Sequence, residues 1–175
     1  MSDPWINRLL VAGPSQDVKR FSKAAIGSRP PRSWLPSEKK PVKLHLSFKA
    51  LYKLLPPIAK RSIPMIEDEP DDLISERFVA RKNGNGEKNY GFMLTRYEPD
   101  LLLTEVSRLF PRLCFTLGWV AQNIDEAASK FIQNGKIKRY SMPDKRRRQI
   151  HASKYKEWGE ERNHGKKSWG QTSMS

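Results

Sequence analysis

The sequence has one cysteine, three histidines and no long apolar run, and each scarcity excludes a class of protein. Because Cys114 is alone, no internal disulfide is possible, and we expect a reducing, cytoplasmic setting. Its apolar neighbours at 113–117 favour a small packed side chain over a nucleophile. No stretch approaches the roughly 18 apolar residues of a membrane-spanning helix. The first residues lack the basic and apolar regions of a signal peptide, so we expect no membrane partner.

Patterns for catalysis or cofactor binding are also lacking. His45, His151 and His164 form no metal-ligand spacing with the single cysteine. The Gly-x-Gly run at 84–86 is not followed by the Lys-Ser/Thr pair of a phosphate-binding loop. The acidic run at 67–72 lacks the spacing and the glycine of a calcium loop, which favours a solvated loop or the first turn of a helix. We therefore expect no catalytic residue, no metal and no cofactor.

Positive charge, by contrast, is abundant, with 33 Lys or Arg against 19 Asp or Glu and a net charge of +14. Such an excess favours an anionic partner, with nucleic acid first and an anionic membrane surface second. A generally solvated basic surface is the alternative. Residues 136–175 hold 12 of the cations and only 4 of the acids. This shift predicts a domain at 1–142 followed by a basic C-terminal extension at 143–175.

Within residues 1–142 the apolar spacing alternates between strand and helix periods. Strands are predicted at 5–12, 43–48, 89–97 and 113–119, and helices after Ser15 and at 99–110. The pattern of segment 51–55 fits a strand and a helix equally, whereas that of 74–82 predicts a short helix. Asn134-Gly135 predicts a tight turn between strands at 128–133 and 136–140. The order predicts an α+β, ferredoxin-like βαββαβ sandwich with an added β-hairpin.

Two blocks of sequence carry a resemblance to a known family. The first is WINRLLVAGP at 5–14, followed by Val18, Phe21, Ala24 and Ala25. The second contains Tyr90-Gly-Phe92, Phe110-Pro111, Phe115-Thr-Leu117 and Asn134-Gly135. Together they resemble the YubB-type ferredoxin-like family over most of residues 4–140, although segment 74–88 replaces the family's tryptophan- and glycine-rich motif. The resemblance implies a ferredoxin-like fold and an origin on plasmids, phages or other mobile elements, but no established activity.

The hairpin and the basic extension supply the candidate binding residues. Pro143 and the cations that follow Asp144 predict a helix, on which Arg147, Ile150, Lys154 and Trp158 are neighbours. Cations bind phosphates, and aromatic rings stack on unpaired bases. The predicted nucleic-acid-binding residues are Lys136, Lys138, Arg139, Lys145, Arg146, Arg147, Arg148, Lys154, Tyr155, Lys156 and Trp158. A solvated tail, or a helix that docks on the domain through Ile150 and Trp158, stays open as an alternative.

The predicted sheet is a second candidate surface, because ferredoxin-like sheets often bind RNA through exposed aromatic side chains. Lys136 and Lys138 share one face of their strand, with Ile137 on the opposite face. These lysines extend the cationic strip toward the sheet. Tyr90 and Phe92 are candidate stacking groups, although core packing is favoured for Phe92.

These observations predict a non-catalytic accessory protein of a mobile-element or ribonucleoprotein system that binds nucleic acid, RNA in preference to DNA. Two alternatives stay open. One is a phage or plasmid protein that inhibits or regulates a host complex. The other is a CRISPR-type, metal-independent endoribonuclease that uses His45 or His151 as a general acid or base, with a neighbouring Lys and Tyr.

Overall fold

The computed structural model describes residues 5–31, 33, 39–64, 69, 71–75, 77–94, 99–121 and 127–141. These residues form nine strands and four helices. The strands are β1 (Trp5–Pro14), β2 (Gly27–Arg29), β3 (Val42–Leu44), β4 (Asp71–Ser75), β5 (Val79–Ala80), β6 (Asn85–Leu94), β7 (Cys114–Ala121), β8 (Ala127–Gln133) and β9 (Lys136–Ser141). The helices are α1 (Ser15–Ala24), α2 (Phe48–Leu54), α3 (Pro57–Lys60) and α4 (Asp100–Leu109).

The main sheet is antiparallel and has the strand order β4-β6-β1-β7-β8-β9, with the short β5 also paired to β6. The first strand, β1, lies in the middle, between β6 and β7. Helix α1 follows β1, and α4 connects β6 to β7. Strands β2 and β3 form a separate two-stranded ribbon. Strand β9, which ends the described part of the chain, therefore lies at one edge of the sheet.

The core lies on one face of this sheet. Directly opposed residues of antiparallel strands share a face, and Leu9 of β1 lies between Tyr90 of β6 and Leu117 of β7. These three side chains are almost fully buried. The buried residues of the helices join the same core cluster, among them Val18, Phe21, Leu51, Ala59, Leu102 and Val106. All four described helices therefore pack on one face of the sheet and leave the other face without a described helix.

Phe21 of α1 lies at the centre of the core. Its ring makes edge-to-face contacts with Phe115 at a centroid distance of 5.2 Å, with Phe110 at 5.6 Å and with Tyr90 at 6.4 Å. Edge-to-face pairs add to the stabilisation from the burial of the rings themselves. The position of α1 over β1, β6 and β7 thus depends on this one aromatic side chain.

Much of the predicted element order is confirmed, with corrections in the middle of the chain. The helix predicted at 74–82 is wrong, because β4 and β5 pair there with β6 and satisfy its backbone groups. The strand predicted at 43–48 is shortened to β3, which pairs with β2 rather than with the main sheet. The ambiguous segment 51–55 lies largely in helix α2. Helix α1 begins at Ser15, which is its first helical residue, and Pro14 occupies the N-cap position.

The acidic run 67–72 contributes a helix cap. The Glu69 carboxylate accepts hydrogen bonds from the backbone nitrogens of Phe48 at 2.7 Å and Lys49 at 3.1 Å, and from the Ser47 hydroxyl at 2.7 Å. The Ser47 hydroxyl in turn accepts a bond from the backbone nitrogen of Ala50 at 3.0 Å. A carboxylate at the start of a helix binds amide groups that otherwise lack partners. Glu69 therefore has a structural role rather than that of a solvated loop residue.

Across the described ranges, no helix combines the length and the apolar character that crossing a bilayer requires.

Candidate nucleic-acid interface

The face of the sheet opposite the helices, here called the open face, is assigned by strand register. Arg8 of β1 lies opposite Gly91 of β6 and Gly118 of β7, and Gly118 lies opposite Ser129 of β8. Two residues along each strand, a second row of side chains on the same face crosses five strands of the sheet, from β6 to β9. It contains Asn89, Leu10, Thr116, Phe131 and Lys138. By register the open face therefore combines cations, hydroxyls and two aromatic residues, Phe131 and Tyr140.

Arg8 is the exposed cation in the middle of the open face. Its Nε donates a hydrogen bond to Asn89 Oδ1 at 3.3 Å, so the side chain reaches toward β6. Gly91, on that side, is buried, whereas Gly118 on the β7 side is partly exposed. Arg8 is therefore flanked by two glycines, of which Gly118 keeps part of its backbone accessible.

Lys136 and Lys138 are exposed at the β9 edge of the open face. Lys136 lies opposite Gln133, and Lys138 lies opposite the half-buried Phe131. Ile137 faces the helix side and is 44% exposed there. The alternation predicted for this strand is therefore confirmed. The Asn134-Gly135 turn that begins it has positive φ at both residues, 45° and 71°, as a tight hairpin turn requires.

Arg139, although predicted in the same set, is on the opposite face of β9. It lies opposite Lys130, and its guanidinium carbon is 5.4 Å from the centre of the Trp119 ring. Lys130 is 7% exposed, lies 4.6 Å from the same ring and forms an ion pair with Asp100. Arg139 thus belongs to a cation–aromatic cluster on the helix side and is separated by the sheet from Lys136 and Lys138.

Tyr90 and Phe92 are fully buried on the helix side, so their prediction as base-stacking groups is wrong. The Tyr90 hydroxyl lies 3.2 Å from the Ser22 hydroxyl, to which it donates a hydrogen bond. Besides Tyr140 of β9, which the register places on this face opposite Ser129, the open face presents Phe131. The alternation of β8 predicts Phe131 on the open face only if Lys130 lies on the apolar face with Ala128 and Ile132. The ion pair between Lys130 and Asp100 allows this lysine to be buried on the apolar face.

The charge balance of the open face is positive. Of the described strand side chains on this face, Glu87 is the acidic one, and it forms an ion pair with Arg81. Arg8, Lys136 and Lys138 are the corresponding cations. A phosphate that approaches the described side chains of this face thus meets cations, while the Glu87 carboxylate is neutralised locally.

The other candidate residues fall into two groups. Lys145, Arg146, Arg147, Arg148, Lys154, Tyr155, Lys156 and Trp158 lie outside the described residues, as does His151. His45 is described, and it is exposed between β3 and α2, away from the main sheet. Within the described ranges, no group of three or more His, Cys, Asp or Glu side chains is arranged to hold a metal ion.

No protein-family model, curated protein or solved structure matches the chain. The resemblance to the YubB-type family therefore stays a prediction from the quoted motifs.

Cys114 lies on the open face opposite Ala12 and is partly exposed. Burial raises the pKa of its thiol above the ordinary value of 9.0. Because burial disfavours the thiolate, less of the reactive form is present at neutral pH than for an exposed cysteine. We expect the rate of alkylation by iodoacetamide, measured by mass spectrometry against pH, to rise with a midpoint above that of a free thiol. A midpoint at or below that of a free thiol would mean that nearby cations stabilise the thiolate.

Proposed function

We propose that this protein binds RNA without cleaving it, through the open face of its sheet and the basic extension at 143–175. The observation that carries the proposal is the shared face of Lys136, Lys138, Phe131 and Arg8. Strand β9, which bears the two lysines, leads directly into the extension. Cations and an aromatic ring on one face are what an unpaired RNA strand requires.

The arrangement of the domain supports this assignment. We propose that β1, α1, β4, β6, α4 and β7 form a ferredoxin-like core, because the order β4-β6-β1-β7 with one helix after β1 and one between β6 and β7 corresponds to that topology. Helices on one side of such a sheet leave the other side for a ligand. Strands β8 and β9 then widen the open face and add its edge cations.

Cations bind the phosphates of double- and single-stranded nucleic acids alike. Aromatic side chains, by contrast, stack on bases that are unpaired. Phe131 lies beside Lys138 in register, so one short segment of a strand can contact both a ring and a cation. This pairing favours single-stranded RNA over duplex as the ligand. The proposal includes no catalytic group, since His45, the described histidine, lies away from the open face.

The two faces of β9 provide a matched test of the proposal. Replacing Lys136 and Lys138 with glutamine removes two cations from the open face, and we expect RNA affinity to fall about tenfold near 0.1 M salt. The slope of log affinity against log salt should decrease by about 1.4, since each contact with a single strand contributes about 0.7. Fluorescence anisotropy with a labelled single strand, repeated over a salt series, measures both quantities.

The control for this test is Arg139→Gln together with Lys53→Gln, which removes the same charge from exposed positions away from the open face. We expect this variant to retain nearly the affinity and the salt slope of the unchanged protein. Equal losses in the two variants would show that net charge, rather than the open face, determines binding. Degradation of the RNA during the assay, lost in His45→Ala, would instead support the endoribonuclease alternative.

A protein partner is the second candidate, and the edge strand β9 is the observation that favours it. In the described part of the chain β9 pairs only with β8, and Ile137 on it is 44% exposed. An edge of this kind can accept a strand from another protein. A complex that survives nuclease treatment during purification, and that is lost when Ile137 is replaced by lysine, would support this function.

A further inference from the structure

We infer that the open face holds one unpaired nucleobase over Gly118, between Arg8 and Phe131. This inference rests on the proposed RNA binding and names the position on the sheet where a base, rather than a phosphate, is recognised. The occupant is a base of a single-stranded RNA whose phosphates contact the surrounding cations.

The register creates a gap at Gly118. Its neighbours across the strands are Arg8 on β1 and Ser129 on β8, each about 5 Å away. Thr116 is the next residue of β7 on the same face, about 7 Å along the strand. Among the described side chains, those of Arg8 and Ser129 flank Gly118 across the strands and are attached about 10 Å apart, and the space between them leaves Gly118 partly exposed. The hydrogen bond to Asn89 directs Arg8 toward β6, away from this space.

The strand itself gives no reason for a glycine at this position. Pairing continues without a register shift through Leu117, Gly118 and Trp119, both toward β1 and toward β8. Gly118 is not among the glycines with positive φ. A glycine in a regular, doubly paired strand weakens that strand, and it often marks a place where a ligand approaches the backbone closely.

The chemistry around the gap fits a base. Phe131 lies diagonally from Gly118, one row along the neighbouring strand, and offers a ring for stacking. Arg8, on the β1 side of the gap, is exposed and contributes a positive charge. The Thr116 and Ser129 hydroxyls can donate or accept hydrogen bonds at a base edge or a ribose 2′-hydroxyl. Charge complementarity favours this occupant over an apolar peptide, since the exposed Arg8 borders the gap and the exposed Lys138 lies beyond Phe131 on the same face.

The test fills the gap without changing charge. Gly118→Val adds a side chain that strands favour, so the fold should persist, while the space for a base is lost. The probes are an oligouridylate of about ten nucleotides and an oligomer of the same length with abasic sugars. We expect Gly118→Val to weaken oligouridylate binding about five- to hundredfold and to leave abasic binding unchanged.

Two further variants make the result decisive. Phe131→Leu keeps an apolar side chain but removes the ring, and it should show the same selective loss. The control is Ser28→Val, which adds a similar side chain at an exposed position of β2, in the separate two-stranded ribbon, and should leave the binding of both probes unchanged. Circular dichroism with a urea transition verifies that each variant is folded.

The outcomes separate this inference from the proposed function. If both probes bind the Gly118→Val and Phe131→Leu variants as tightly as the unchanged protein, while Lys136→Gln with Lys138→Gln binds weakly, the base site is refuted and RNA binding stands. Equal losses for the two probes also refute the base site. If neither probe binds the unchanged protein, both the base site and the proposed function are wrong.

Discussion

Replacing Lys145, Arg146, Arg147 and Arg148 together with glutamine is expected to weaken RNA binding about a hundredfold or more near 0.1 M salt. These four cations are consecutive and begin four residues after the end of β9. Each phosphate contact that they make releases counterions, so the slope of log affinity against log salt should decrease by almost three. Anisotropy over a salt series with the full-length variant measures the loss.

The control is a second variant with four lysines replaced by glutamine on the side of the domain away from the open face. It comprises Lys19 and Lys23 of α1 and Lys49 and Lys53 of α2, which are all exposed on the helix side. This variant has the same net charge as the first, so a difference between the two reports position rather than total charge. If both variants lose affinity equally, the basic extension has no specific role and acts only through the net charge of the chain.

Phe21→Ala is expected to lower the free energy of unfolding by about 3–5 kcal/mol, the range for removing a fully buried phenylalanine. The side chain is fully buried and contacts three aromatic rings, so its loss leaves a cavity beneath α1. Urea denaturation followed by circular dichroism measures the change. Many small domains have a total stability of about 5–15 kcal/mol, so this one substitution removes a large share.

Leu101→Ala is the comparison for Phe21→Ala. Leu101 lies on α4 and is 54% exposed, so its truncation should change the stability by about 0.5 kcal/mol or less. A small effect of Phe21→Ala, similar to that of Leu101→Ala, would contradict the placement of α1 on the sheet. The position of the helices on one face, and therefore the existence of the open face, would then be in question.

Strand β1 and helix α4 were predictable from sequence, because β1 is a short apolar run and the apolar residues of α4 follow helical spacing. In β1, Leu9 and Val11 are buried, and in α4 the buried residues follow helical spacing. The middle of the chain was harder, because the apolar residues at 74–82 suit a short helix as well as a strand. The edge of β6 favours the strands, because its backbone groups need hydrogen-bond partners and β4 and β5 supply them. That requirement is a tertiary one and is not visible in local spacing.

In the candidate site, too, local spacing predicts the position of some residues, whereas others depend on tertiary contacts. Alternation along β9 was sufficient to place Lys136 and Lys138 on one face. Phe131 was missed because Lys130, its neighbour, occupies a buried position that only the ion pair with Asp100 permits. Arg8 was not singled out, since its exposure on a central strand depends on all helices packing on the other face.

The most direct test of the central claim, that RNA lies on the open face, uses the single cysteine of the chain. Cys114 lies on this face, so its alkylation by iodoacetamide reports whether the face is covered. We predict that saturating single-stranded RNA slows alkylation severalfold, and that Lys136→Gln with Lys138→Gln reduces this protection at a fixed RNA concentration. An unchanged alkylation rate while anisotropy shows the RNA bound would contradict the account, because the RNA would then lie elsewhere.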